Sequence, residues 1–163
     1  MRISKKKDLF EEIRLKLVSQ GFRIVDHDDQ QAWGGSLLID EAQASIFLQT
    51  YFKQAASMAE ATLNLPLRPK LLVVAPHQAI SWQYHLRRAE LWQVVLGEIG
   101  VKLSDSDEEP DPYLKKKGDF IMLEPGTRHR LVGLQDWAII AQVWQHVDGE
   151  HPSDERDIVR LLD

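Results

Sequence analysis

From residue 70 onward the chain is cut into short apolar runs, and this punctuation constrains its fold more than any other feature. The runs cover 71–75, 92–96, 99–103, 120–123, 131–134 and 137–144. Turn-forming residues stand between them: Gly97 and Gly100, an acidic stretch over 104–112, Gly118, and Pro125-Gly126. Short, evenly punctuated runs of this kind predict an all-β sandwich or barrel rather than βαβ units. Gly97 and Gly100 are expected to mark one tight turn. The acidic stretch lacks the Gly and the closing Glu of an EF-hand calcium loop, so it reads as a solvated hairpin loop. Tyr113-Leu114 and the lysine run 115–117 close it.

The first part of the chain has a different texture. Residues 4–20 predict an amphipathic helix, with Phe10, Ile13 and Leu17 on one stripe that Leu9 and Val18 widen. Glu12 and Lys16 stand at pairing distance on that helix, and Gly21 is a natural stop. Residues 22–26 alternate as a short strand, and 27–31 read as a polar turn. Trp33-Gly34-Gly35-Ser36 predicts a packed corner where backbones approach closely, leading into 37–39. Asp40 is a candidate N-cap with Gln43 at the capping-box position. A helix is expected from 41 to about 61, broken by the prolines within 65–69. The expected organisation is therefore residues 1–66 as helices and short strands packed on a barrel of residues 67–163, whose C-terminal tail docks on it.

Composition narrows the function classes. A chain of 163 residues makes one domain with a sizeable core. A net charge of -5 argues against a general nucleic-acid binder, which needs a basic footprint. With no cysteine, thiol catalysis, disulfides and cysteine-zinc sites are excluded, and any metal must use imidazole, carboxylate or amide ligands. The basic start, Met1 to Lys7, is followed by no long apolar run, so neither a signal peptide nor a membrane span is expected and the default location is the cytoplasm.

One stretch concentrates ligand-type residues: Gln83, His85 and Glu90, with His129 further on. Residues 83 and 85 share a face if they lie on a strand. A tight turn at 86–89 would bring Glu90 opposite them, with Trp92 on the same side. One amide, two imidazoles and one carboxylate suit zinc, manganese, iron or nickel better than calcium or copper(I), and leave room for water or substrate. Each residue also has an ordinary reading. A single histidine is more often a satisfied core or surface residue, and Glu90 could pair with Arg87 or Arg88.

Residues 70–145 resemble a cupin, a small jelly-roll β-barrel. The first cupin motif is matched by His77, Gln83-Tyr84-His85, Glu90 and Gly97, and the second by Gly118, Glu124-Pro125-Gly126, His129 and Gly133. His77 stands where the motif has Gly, Gln83 where it has its first His, Glu124 where it has Pro, and Gly133 where it has Asn. The Gln-x-His form is similar to that of type II phosphomannose isomerases. Ile80-Ser81-Trp82-Gln83-Tyr84-His85-Leu86-Arg87-Arg88-Ala89-Glu90-Leu91-Trp92 keeps their gap lengths. His129-Arg130-Leu131, Asp157-Ile158-Val159-Arg160 and Trp33-Gly34 match further points. Leu91 departs from the family's His. Small cupins of this kind also carry labels such as phosphoheptose or lyxose isomerase.

The resemblance implies an all-β cupin jelly roll (a double-stranded β-helix) with an N-terminal helical and strand extension. It implies a metal-dependent aldose–ketose isomerase acting on a sugar phosphate, mannose 6-phosphate-like, through an enediolate. The alternatives are another sugar of the phosphoheptose or lyxose type, or a non-catalytic sugar-binding cupin; Gln83 in place of His argues against a cupin dioxygenase. Gln83, His85, Glu90 and His129 would hold a divalent ion, zinc first, with manganese, iron or nickel as alternatives. Lys70 and Arg88 are the candidate catalytic residues, with Glu98 and His146 behind them. Lys70 could equally make a rim salt bridge, and Arg88 could orient Glu90. Arg128 and Arg130, together with Trp92 and Trp144, are the candidates for binding substrate, the arginines through a phosphate. The implied partner is a sugar or sugar phosphate, with neither nucleic acid nor membrane. Cupins commonly dimerise, and the N-terminal strand-helix unit could serve a homodimer contact.

Overall fold

A computed structural model of the chain describes residues 6–53, 68–147 and 150–163. Helix α1 (Lys6–Ser19) buries Leu9, Phe10, Ile13 and Leu17. Val18, expected on that stripe, is exposed, because Leu9 and Phe10 turn the buried face away from it. The helix pairs Arg14 with Glu11 at 2.6 Å. It ends as expected at Gly21, whose φ of +91° suits glycine. The amides of Phe22 and Gly21 bond back to the carbonyls of Leu17 and Val18, closing a Schellman turn.

Strand β1 (Ile24–Gln31) takes in the residues expected to form a polar turn. It lies at the edge of its sheet, where polar side chains are tolerated because one side meets water. Residues 32–33 turn the chain into β2 (Gly34–Ile39). The close backbone approach read from the two glycines holds: a Cβ at Gly34 would lie 1.8 Å from the Val73 carbonyl oxygen, and one at Gly35 1.9 Å from that of Asp28. The corner itself is the start of a strand. Asp40 caps as expected, its carboxylate accepting from the Ala42 amide. Gln43 does not complete a capping box; its side chain clamps the Arg23 amide and the Gly21 carbonyl. A short 3₁₀ turn (Glu41–Gln43) leads into helix α2 (Ala44–Tyr51), capped at Phe52. Residues 54–61 of the expected helix lie outside the described residues.

The barrel strands are β3 (Lys70–Val74), β4 (Trp82–Tyr84), β5 (Arg88–Leu96), β6 (Glu98–Ser104), β7 (Tyr113–Lys116), β8 (Phe120–Leu123), β9 (Arg128–Gly133), β10 (Ala138–His146) and β11 (Val159–Leu162). They pair antiparallel in two sheets, β1-β2-β3-β10-β5-β8 and β11-β4-β9-β6-β7. This is the mostly-β jelly roll with an N-terminal helix that the sequence predicts, and β1 and β2 continue the first sheet past β3. Gly97, at φ +78°, makes the β5–β6 turn alone, whereas Gly100 lies inside β6.

The central strands are apolar on both faces because both are covered. Leu71, Val73, Leu91, Ile139, Ala141 and Val143 face α1 and α2, in one core. Leu72, Val74, Trp92, Val94, Ala138 and Ile140 face inward onto Ile99, Val101 and Leu131 of the second sheet, in another. Period-2 alternation sorts these residues, and two-sided burial hides it in the sequence as continuous apolar runs. No helix among the described residues is long and apolar enough to cross a membrane.

Candidate metal centre

Register places the site. In the first sheet, Lys70, Gln142 and Trp92 stand side by side across β3, β10 and β5, and Trp144 stands beside Glu90. In the second sheet Gln83 pairs with His129. Directly paired residues share a face. These residues therefore converge inside the barrel, at one end of a cavity of about 480 Å³. That volume suits a small ligand.

The β4–β5 link is wound differently from the expected tight turn at 86–89. β4 ends at Tyr84, His85 comes next, only Leu86 and Arg87 bend, and Arg88 already begins β5. The C-terminal segment holds this bend from outside. The Asp157 carboxylate accepts the amides of Leu86 and Arg87, and the Ser153 hydroxyl donates to it at 2.6 Å. Burial by itself would raise the Asp157 carboxyl, but the Ser153 hydroxyl and the two amides hold it below its ordinary value.

His85, Glu90 and His129 are all buried, and their ligand atoms lie within 4.8 Å of one another. Glu90 Oε2 is 3.6 Å from His85 Nε2, and Glu90 Oε1 is 3.7 Å from His129 Nε2. Each imidazole turns its Nδ1 to a backbone carbonyl, His85 to Asp157 at 2.7 Å and His129 to Thr127 at 2.9 Å. A carbonyl only accepts, so each Nδ1 carries the proton and each Nε2 is a lone-pair donor facing Glu90. Burial keeps both rings neutral: it lowers His85 to about 4 and lowers His129 as well. Burial would raise the Glu90 carboxyl; with both rings neutral, the Arg88 guanidinium and its hydrogen bond are what oppose this and favour the carboxylate.

This donor set fits a divalent ion. The decisive atom is His129 Nε2, buried and without a hydrogen-bond partner among the described residues. An imidazole nitrogen in that condition has lost water and gained nothing, unless an electrophile takes its lone pair. Gln83 lines the same cavity, partly buried, with its side-chain oxygen accepting from the Ser81 hydroxyl.

The other expected site residues divide. Lys70, Arg88, Trp92 and Trp144 line the cavity; Arg128 and Arg130 do not. Arg128 pairs with Asp107 at 2.8 Å and lies over the Tyr84 ring, and Arg130 is bound by Glu109, the Ile80 carbonyl and the Asp163 backbone carbonyl. The acidic loop supplies both carboxylates, which draw these arginines to the barrel's outer side. Glu98 sits exposed at the β5–β6 turn, and His146 is buried, accepting the Ser153 amide on Nδ1. Neither lines the cavity. Lys70 is the cation best placed inside. Burial holds its amine below the ordinary lysine value, against the pull of Glu155 and Glu90, and its Nζ lies 5.1 Å from the centre of the Trp144 ring.

Some contributors escape sequence reasoning. Gln142 donates to Glu90 Oε2 at 3.2 Å; its signal was a polar residue inside an otherwise apolar run. Asp28, Gln31 and Trp33 reach the cavity from the N-terminal hairpin, and Glu155, Arg160 and Asp163 from the tail. Trp33 and Arg160 lie in stretches that match the resembled family, and nothing local to the others announces it.

No protein-family model matches the sequence, and no curated relative matches it. Solved structures do share its fold. Oxalate decarboxylase from Bacillus subtilis aligns at TM-score 0.57 and 16% identity, over 84% of this chain and 30% of that one. CapF, solved with the inhibitor 3-isopropenyl-tropolone, aligns at 0.56 and 15%, over 87% and 34%. A cupin-superfamily sugar phosphate isomerase from Silicibacter pomeroyi aligns at only 0.44 and 16%, over 54% and 55%, too distant to bear on activity. The chain thus spans about a third of the length of the first two. Such likenesses speak for the cupin fold alone.

Proposed function

We propose that the cavity isomerises an aldose and a ketose, with a divalent ion held by His85, Glu90, His129 and Gln83. The observation that carries this reading is the pair of buried, neutral Nε2 atoms aimed past one buried carboxylate, beside a lysine amine in the same cavity. A bound cation would act there as a Lewis acid on the sugar's oxygens, stabilising negative charge that develops on them. The chain's own residues supply the rest. A neutral Lys70 amine takes the proton from C2 and returns it to C1, while the O2 hydroxyl proton passes to O1; nothing is oxidised or reduced overall. Its lowered pKa keeps more of the amine neutral than an exposed lysine could. Trp92, Trp144 and Gln142 wall the cavity and restrict water.

On the substrate, the lining charges favour an uncharged sugar over its phosphate. Asp28, Glu155 and Asp163 line the cavity alongside Glu90, while Arg128 and Arg130 are engaged outside it. A phosphate would have Arg160 as its cation, since Arg88 is bound to Glu90 and Lys70 serves as the neutral base.

The test is solvent deuterium incorporation at C2 of mannose, lyxose and mannose 6-phosphate by metal-replete protein. Exchange with at least one, lost in Lys70→Met with metal content intact, is the expected result. Absence of exchange with all three would overturn the isomerase reading. Separately, His129→Ala should purify with far less metal than wild type; equal metal content would rule out the ligand set.

A further inference from the structure

Arg88 is a buried group whose bonding conflicts with the proposed ligand set. Its Nη2 lies 3.2 Å from His85 Nε2, and its Nε donates to Glu90 Oε2 at 2.9 Å. His85 Nδ1 already carries a proton toward the Asp157 carbonyl, so Nε2 has a single lone pair. That lone pair can accept from Arg88 or bind a cation, but not both. The guanidinium has a second set of anchors on the outer side. Nη1 donates to the Ser153 hydroxyl at 3.1 Å and to the Asp154 carbonyl at 3.2 Å, and the guanidinium carbon sits 3.4 Å from the centre of the Trp144 ring.

We propose that Arg88 competes with the metal ion for His85, so that loading the site transfers His85 Nε2 from guanidinium to cation and leaves Arg88 on its outer anchors. Arg88 is then a positioning residue that sets metal affinity. Its charge neutralises Glu90 whenever the cation does not, which spares a buried carboxylate from standing unpaired. The inner bonds are lost on loading; the stacking on Trp144 and the bonds to Ser153 and Asp154 need not change. This rests on the metal reading above, but not on the isomerase reading.

The test is metal affinity in Arg88→Gln and Arg88→Lys, measured with Zn²⁺ and Co²⁺ against a chromophoric chelator. Removing a competitor should tighten binding by about tenfold or more in Arg88→Gln, the worth of one charge-assisted hydrogen bond. Arg88→Lys, which keeps the charge but loses the fork, should fall between that and wild type. A residue that merely orients Glu90 would give the opposite sign, and weaker binding in both variants overturns the proposal. Should the variants not fold, the Arg88 side-chain Nε–H resonance of the wild-type protein decides. It should shift as Zn²⁺ is added; no shift at saturation overturns the proposal. If neither wild type nor Arg88→Gln binds either ion, this proposal and the metal reading fall together. If metal binds and displaces Arg88 without any sugar exchange, only the isomerase reading falls.

Discussion

The two ends of the barrel interior are built on the same strands and face the same way, yet they are opposite in chemistry. Toward one end the inward row across β3, β10 and β5 is Leu72, Ile140 and Val94, with Ile99, Val101 and Leu131 facing it from the second sheet. The next row is Lys70, Gln142 and Trp92; beyond it come Glu90 and Trp144, then Arg88 and His146. Packing explains the first end completely: apolar side chains leave water and satisfy nothing else. Packing alone explains little of the second. Buried charges cost more than they return unless each is paired, and a pair of well-packed apolar residues would serve stability at least as well. The polar end is thus where the chain gives up stability for something other than folding.

The harshest way to break the contrast is to place an unpaired charge at the apolar end. Val94→Asp should destabilise by about 4 kcal/mol or more, read from urea unfolding, because no partner stands within that row. At the polar end, Glu90→Leu should cost about 3–5 kcal/mol, since it strands the Arg88 guanidinium in the interior. The double change Glu90→Leu with Arg88→Met should bring stability back to within about 1 kcal/mol of wild type, or above it, while abolishing metal binding. If the double variant stays as unstable as the single one, the polar end is structural after all.

A smaller effect comes from His146, which accepts the Ser153 amide and must be neutral to do so. Burial lowers its folded pKa, Glu41 opposes this, and Arg88 adds to it. The unfolded chain therefore takes up the proton first, near pH 6.5. Stability is fully present above that pH, falls with acid through the interval down to the lowered folded value, and falls no further below it. His146→Asn, whose carbonyl can accept the same amide without titrating, should lack this part of the slope in unfolding midpoints compared at pH 7.5 and pH 5. An unchanged slope would assign the dependence elsewhere.

The smallest effect lies on the surface. His77 holds φ +58°, at the motif position where cupins carry glycine. His77→Gly should stabilise by roughly 0.5 kcal/mol, the relief of a left-handed backbone less the added freedom of the unfolded chain. Destabilisation instead would mean that the His77 side chain contributes contacts worth more than that strain.

Much of this was legible in one dimension. The short apolar runs predicted strands, and most lie where expected, because a run's length and its turn residues are local properties. Glycine positions were readable for the same reason, since a missing Cβ at Gly34 and Gly35 speaks of a backbone close by. Residue types and spacing made Gln83, His85, Glu90 and His129 candidates with ordinary readings beside them, the resemblance to the cupin motifs favoured them as ligands, and the structure brings His85, Glu90 and His129 together. Polar residues 27–31 misled because polarity marks both turns and edge strands, and only a strand's place in its sheet separates the two. Arg128 and Arg130 misled because an arginine beside a ligand histidine looks like a substrate contact, until the acidic loop folds back and claims it.

The sequence by itself determined that helix α1 forms, where most of the short barrel strands and their turns fall, and which residue types could meet a metal. Local sterics and period-2 geometry are enough for that. Only the tertiary structure decided which cations line the cavity, why the lone pairs of His85 and His129 point where they do, and that Asp157, 72 positions from His85, holds the bend at Leu86 and Arg87. Those outcomes depend on register and on the path of distant segments, where long-range burial and pairing outweigh anything encoded nearby.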